Sequence, residues 1–364
     1  MASSISLPSF AAKTSNILNP DGTSIDQSFA PTNGGMFRNG FINGNFDIWQ
    51  RATSQSVSGY GSADRWQLAL TGSTAVMSRQ THTLGQTDVP NNPTYFLRAV
   101  VTSVANANNL ALFRQNIENV SRFAGQTVTI SFYAKADAAK PISVEATQSF
   151  GTGGSPSAAV TGVGVKTTLS TAWARYTVQL AIPSIAGKTI GTNGDDYLQI
   201  NFWLDAGSSF NTRTNTLGQQ SGTFDISQIQ IEQGSSATPF EVRPIGTELA
   251  LCQRYLLASG GGASESPAIG SSYSTTGAQV IIYHPVAMRS KTRNLTLSNV
   301  SHFNMGIPAV VATVTTGITY SSADSSDFTS FLNLGYSNGS AGGGKVCYLQ
   351  ANTTAARLFI DAEL

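Results

Sequence analysis

Charge is what this sequence has least of. Only 11% of its 364 residues are charged, against about 25% in ordinary soluble domains, and the net charge is +1. That excludes a basic footprint for nucleic acid, an acidic tail, and binding through bulk electrostatics. Cysteine is almost missing too. Cys252 and Cys347 stand far apart in different elements, which is too few for a metal site and favours two buried free thiols. A bridge between them depends on a distance that the sequence does not fix. The three histidines, His82, His284 and His302, are scattered, and there is no HExxH, GxSxG or phosphate-binding glycine loop. Asp195, Asp196 and Asp205 supply the carboxylates a glycosidase would need. The pair Asp195-Asp196 follows Gly191-Thr192-Asn193-Gly194, however, and a polar turn explains it. No fixed-period repeat of a β-helix is found. The reading is therefore not an enzyme. No apolar run approaches the roughly 20 residues of a membrane helix, and with Lys13 as first charge and no long apolar stretch before Pro20, neither a secretory signal nor membrane insertion is expected.

What is present points to β structure. Hydrophobic residues make up 40% of the chain, enough for proper cores, and 35 glycines fit many turns between short strands. Solubility then rests on Ser, Thr, Asn and Gln, a style suited to an extracellular or particle-borne surface. Apolar residues alternate in residues 127–135 (Val128, Ile130, Phe132, Ala134), in 173–182 (Tyr176, Val178, Leu180, Ile182) and in 197–205 (Leu198, Ile200, Phe202, Leu204). Period two means half-buried strands, so residues 37–233 read as a β-sandwich. Trp49 and Trp66 read as packing residues.

Residues 224–257 form a joint. Phe224, Ile226, Ile229 and Ile231 give a buried strand face whose one break in alternation predicts a bulge at Ser227-Gln228. Gly234 stops the strand, and Pro239 and Pro244 hold an extended linker. Thr247 is expected to cap a helix of about three turns with Leu249, Cys252 and Leu256 on one face and Glu248 near its positive end. The predicted organisation is an all-β chain with an extended arm over 1–36, the sandwich over 37–233, linker and short helix over 234–257, and a smaller β domain over 258–364. In that last unit residues 280–285, 295–300, 309–316 and 358–361 are strand candidates, Lys345 to Gln350 is strand-like, Gly260-Gly261-Gly262 is a hinge and Gly342-Gly343-Gly344 a loop.

The wording of the joint resembles a family. Gln230-Ile231-Glu232-Gln233-Gly234, Ala237-Thr238-Pro239-Phe240-Glu241 with Arg243, and Glu248-Leu249-Ala250-Leu251-Cys252-Gln253-Arg254-Tyr255 look like the joint of tailed-bacteriophage virion proteins, above all of the tail-fibre or receptor-binding type. Phe41-Ile42-Asn43-Gly44-Asn45-Phe46-Asp47-Ile48-Trp49, Ala63-Asp64-Arg65-Trp66, Ser131-Phe132-Tyr133-Ala134-Lys135-Ala136 and Thr171-Ala172-Trp173-Ala174-Arg175-Tyr176-Thr177 agree with it. The resemblance spans roughly residues 37–257 and, more weakly, Met288-Arg289 and Asp361 to Leu364. It implies a jelly-roll similar to carbohydrate-binding modules, virion localisation, contacts with other virion proteins and with host-surface glycan, and a homotrimer. It also implies one structural calcium, with Asn45, Asp47 and Asp225 at the matching positions, although Asn45 stands where the family pattern commonly has an acid. A capsid decoration or head-fibre protein is the alternative, and a glycan-degrading tailspike a more distant one.

Two candidate sites follow. Tyr197, Gln199, Asn201, Trp203 and Asp205 share the face opposite the core set of their strand, and rings mixed with amides and a carboxylate suit the C–H faces and hydroxyls of sugars. Tyr133, Glu145 and Arg175 point outward on other predicted strands and are expected to line the same concavity. On that expectation Trp203→Ala weakens glycan binding without loss of fold. The alternative is that loops, the arm or a neighbouring subunit cover these rings. The arm itself, with isolated Phe10, Ile17, Leu18 and Phe29 in a polar background, is expected to order on a virion partner.

Overall fold

Alternating apolar side chains close two sheets over one core. The computed structural model describes residues 38–307, 310–337 and 343–364, so the arm and its anchors Phe10, Ile17, Leu18 and Phe29 lie outside the described residues. Strands β1 (Ser54–Gln55), β3 (Thr74–Thr81), β4 (Tyr95–Thr102), β6 (Thr127–Ala136), β10 (Ala174–Ala181) and β12 (Gly222–Gln233) make one antiparallel sheet in the order β1-β3-β4-β12-β6-β10. Strands β2 (Gln67–Thr71), β5 (Leu110–Glu118), β7 (Lys140–Ser149), β8 (Val160–Thr161) and β11 (Tyr197–Ala206) make the other in the order β2-β5-β11-β7-β8, with β9 (Val165–Leu169) also on β7. This is an antiparallel jelly-roll β-sandwich.

The predicted inward sets are the core. Val128, Ile130, Phe132, Ala134, Leu198, Ile200 and Phe202 are fully buried. Trp66 sits at the centre, its ring centroid 5.4 Å from Phe41 and Phe46, 5.6 Å from Phe113 and 6.0 Å from Phe202. Such ring pairs contribute about 0.5–1.5 kcal/mol each beyond their burial. The bulge forms where the alternation breaks: the pairing of β12 with β6 shifts between Ser227 and Gln230, and Gln228 takes a φ of 51°.

The linker helix differs from expectation. It runs Ile245–Gln253 from a cap at Pro244, three residues before Thr247, and Leu256 opens strand β13 (Leu256–Ser259) instead of closing the helical face. The reason is the proline: Pro244 supplies the carbonyl that takes the amides of Thr247 and Glu248 at 2.9 and 3.1 Å, so the helix starts before a hydroxyl cap is needed. Glu248 is buried, and its carboxylate accepts the amide of Asn43 and lies 3.4 Å from Arg243.

The C-terminal unit joins a three-stranded sheet to a closed barrel. Strands β13, β21 (Leu358–Asp361) and β16 (Asn294–Leu297) form the sheet in that order. The barrel order is β14-β15-β19-β18-β17-β20, from β14 (Ala268–Ser272), β15 (Gly277–Tyr283), β17 (Phe303–Ile307), β18 (Val310–Ser326), β19 (Thr329–Tyr336) and β20 (Val346–Ala351). Closure removes the exposed edges that a small sheet of Ser- and Gly-rich strands would otherwise present. Strands β14, β17 and β19 were not among the sequence candidates. Gly260 is no free hinge: its φ is 94° and a Cβ there would lie 2.6 Å from the Ala356 carbonyl, so the chain is packed against the segment that leads into β21. Cys252 and Cys347 are free, buried thiols.

Ion pairs fasten the two β units to each other. Arg65, 1% exposed, lies over the Tyr255 ring at 3.4 Å and pairs with Glu363. Arg51 reaches Asp361 at 2.7 Å, and Arg254 and Tyr255 both donate to Glu118. Burial raises the Glu118 carboxyl, but the bonds from Arg254 and Tyr255 and the charges of Arg254 and Arg289 outweigh it and hold the group below the usual range.

Candidate functional site: one strand face and the cleft at its end

The register of β11 lays out its outward face as a series of rows. Tyr197 stands between Glu118 on β5 and Ser149 on β7, Gln199 between Asn116 and Thr147, Asn201 between Arg114 and Glu145, and Trp203 between Leu112 and Ser143. The expected composition is there; the expected openness is not. Gln199, Asn201, Trp203 and Asp205 are 6%, 1%, 1% and 0% exposed, and Glu145 is 0% exposed.

A loop explains the closure. After β11 the chain turns at Gly207, where a Cβ would lie 2.3 Å from the Asn106 carbonyl, and runs through a short 3-10 turn into α1 (Asn211–Thr214). This places Phe210 5.2 Å from Trp203 and Arg213 over that ring at 5.0 Å. Leu112, Ala206 and Leu217 complete an apolar cluster around the indole. Beneath it Glu145 accepts the Trp203 indole N–H at 2.8 Å, the Asn201 amide at 3.2 Å and two Arg213 nitrogens at 2.8 and 3.0 Å. A buried carboxylate with this many donors is a structural lock. Asp205 is likewise occupied, by Ser73, Ser103 and the Gln220 amide at 2.6–2.8 Å. Loop cover, one of the three kinds of cover left open by the sequence, is the state of this face at Trp203.

The remaining candidates do not join it. Tyr133 and Arg175 face each other on β6 and β10, in the opposite sheet, so the expected single concavity does not exist. Arg175 is held by Ser131 Oγ at 3.1 Å and by the Thr238 carbonyl of the linker. Lys135, on that face, lies over the half-buried Trp173 at 5.4 Å, and Trp173 packs on Phe96 and His82 at 5.2 and 5.1 Å.

The calcium set does not fit either. Asp225 accepts two nitrogens of Arg98 at 2.7 and 2.8 Å and has Lys135 Nζ at 3.8 Å, so cations already occupy its oxygens. Asn45 donates to Asp47 at 2.8 Å. Gly44 meets β12 at Ile229, four positions past Asp225, which at about 3.3 Å per residue is roughly 10 Å or more. Calcium needs its oxygens in one shell. Among the described residues no three His, Cys, Asp or Glu side chains are grouped to hold a metal.

One member of the face stays open. Tyr197 is half-buried and lines a cleft of about 740 Å³ between the sandwich and the C-terminal unit, shared with Ser149, Asp195, Arg289, Thr292 and Asn294. Arg289 braces its back by donating to the carbonyls of Ala362 at 2.7 Å and of Gly194 and Glu363 at 3.2 Å. Burial lowers its pKa. Asp195 accepts the Thr152 amide at 2.7 Å and hydroxyl at 2.5 Å, and these bonds outweigh its burial and keep it below the usual carboxylate range. Sequence reasoning did not find Arg213, Thr292 or Asn294. An isolated Phe210 and Arg213 inside a polar stretch were the only signal for the loop, and Met288-Arg289 the only one for the far wall.

No protein-family model and no curated protein matches the chain. Among solved structures, a CBM4 module is similar to it at 16% identity, over 53% of this chain and 98% of the module, with a TM-score of 0.29. The enzymatically active domain of tailspike protein 4 from bacteriophage CBA120 is similar at 14% identity, over 54% of this chain but 22% of its own, with a TM-score of 0.32. A family 11 carbohydrate-binding module of a Clostridium thermocellum cellulosomal cellulase is similar at 13% identity, over 50% and 96%, with a TM-score of 0.30.

Proposed function

We propose that this chain is a structural protein of a tailed-phage virion, of the tail-fibre or receptor-binding type, attached by its N-terminal arm and contacting host-surface glycan without catalysis. One observation supports the reading most: stretches that resemble such proteins, though far apart in sequence, meet in space. Asn43 of the first donates its side-chain amide to the Asp64 carbonyl of the second at 3.0 Å and its backbone amide to Glu248 of the joint. Arg65 of the second stretch lies on Tyr255 of the joint, and the Trp66 indole donates back to the Asn43 carbonyl at 3.0 Å. Shared wording at mutually contacting positions is what a conserved assembly of modules requires, whereas matches scattered over unrelated surfaces would carry little weight.

Mass spectrometry and a reconstruction of purified particles test it. The chain is expected in stoichiometric amounts on the tail, and deletion of residues 1–30 is expected to abolish incorporation while residues 37–364 keep their fold. Normal incorporation of the truncated chain removes the anchoring role, density on the head moves the protein to the decoration class, and reducing-sugar release from host polysaccharide makes it an enzyme. Light scattering tests the threefold association proposed with it; a stable monomer disposes of that part.

A further inference from the structure

We infer that the cleft between the sandwich and the C-terminal unit binds an uncharged, hydroxyl-rich saccharide segment through Tyr197 and Ser149 on one wall and Thr292 and Asn294 on the other. The inference deepens the glycan-contact reading and rests on it. The cleft, of about 740 Å³, falls within the roughly 300–1,000 Å³ of small-molecule sites. Its charges are already used internally. Asp361 and Glu363 pair with Arg51 and Arg65, Asp195 is held by Thr152, and the Arg289 guanidinium donates to three carbonyls. A charged ligand would meet three engaged carboxylates and no uncommitted cation among these residues, so it gains nothing that water does not offer.

The neutral polar groups are different. Among the described residues the side chains of Tyr197, Ser149, Thr292 and Asn294 have no hydrogen-bond partner, although all four line the cleft. They offer three hydroxyls and one amide, each able to donate and accept, which is the complement a sugar hydroxyl needs. The half-buried Tyr197 ring adds a flat surface for a C–H face. Because the two walls come from different β units, neither unit alone completes the site.

Calorimetry with the full chain, guided by an array of neutral and acidic host-surface oligosaccharides, tests the inference. Neutral glycans should bind. Tyr197→Ala and Asn294→Ala should each weaken binding about tenfold, and Thr292→Arg, which fills the cleft from an exposed position, should abolish it, all with unchanged melting curves. If the parent chain binds neutral glycan and Thr292→Arg and Asn294→Ala bind it equally well, the cleft is not the site while the glycan reading stands. If the parent chain binds no glycan at all, both fall. A preference for sialylated or uronic saccharides overturns the ligand class.

Discussion

The two ends of β11 began as one prediction and finished as different objects. At Trp203 the outward face is sealed: Phe210 and Arg213 lie on the ring and Glu145 takes its N–H. At Tyr197 the same face opens into the cleft. Both residues obey one alternation along one strand. What separates them is the neighbour across the gap, a folded-back loop at one end and a second β unit standing off at the other. Alternation tells which side of a sheet a residue occupies, and only tertiary structure tells whether that side meets water.

That contrast can be broken by substitution. Glu145→Ala is expected to have the largest effect, a loss of about 3–5 kcal/mol in urea denaturation, because Arg213, Asn201 and the Trp203 indole lose their common acceptor in a buried site. Trp203→Ala should cost about 3 kcal/mol through its cavity and leave glycan binding by the folded fraction unchanged, the reverse of what the open-face expectation required. A smaller effect is expected at the joint, and it depends on pH. The folded pKa of Glu118 is depressed, so the stability it contributes is present above the ordinary glutamate value, about 4.3, and is lost as pH falls through the folded one. The gap between parent and Glu118→Gln should therefore hold from neutral pH to about 5 and narrow below; a gap that widens in acid contradicts the assignment. Least of all, Tyr133→Ala and Arg175→Ala, on the far sheet, should shift stability within about 0.5 kcal/mol and leave glycan titrations untouched.

Much of the fold was legible because period-two alternation is a local property. The core sets of β6 and β11 and the bulge at Ser227-Gln228 are written in consecutive residues. The barrel was harder: β14 and β17 carry Gly270, Ser271, Ser272 and Gly306, which read as turn residues until closure gives their backbone partners. Of the outward set that the sequence names on β11, Tyr197 is the member that lines the cleft. The grouping of Tyr133 and Arg175 with it failed because outward-facing describes both outer surfaces of a sandwich equally. Arg213 was invisible because it meets Trp203 and Glu145 only once the chain has turned back over the sheet, and Thr292 and Asn294 because they face Tyr197 from the other β unit.

The joint also has a mechanical reading. Arg65 is held by Glu363 of the C-terminal unit and Tyr255 of the joint, and the next residue, Trp66, is the hub of the sandwich's aromatic core. A pull on the barrel is thus delivered through two adjacent residues to the aromatic core of the sandwich, with Arg51–Asp361 and Arg254–Glu118 bearing load in parallel. Such a coupling ties the C-terminal unit to the sandwich at several points, so a relative movement of the two that widened the cleft would have to break these pairs.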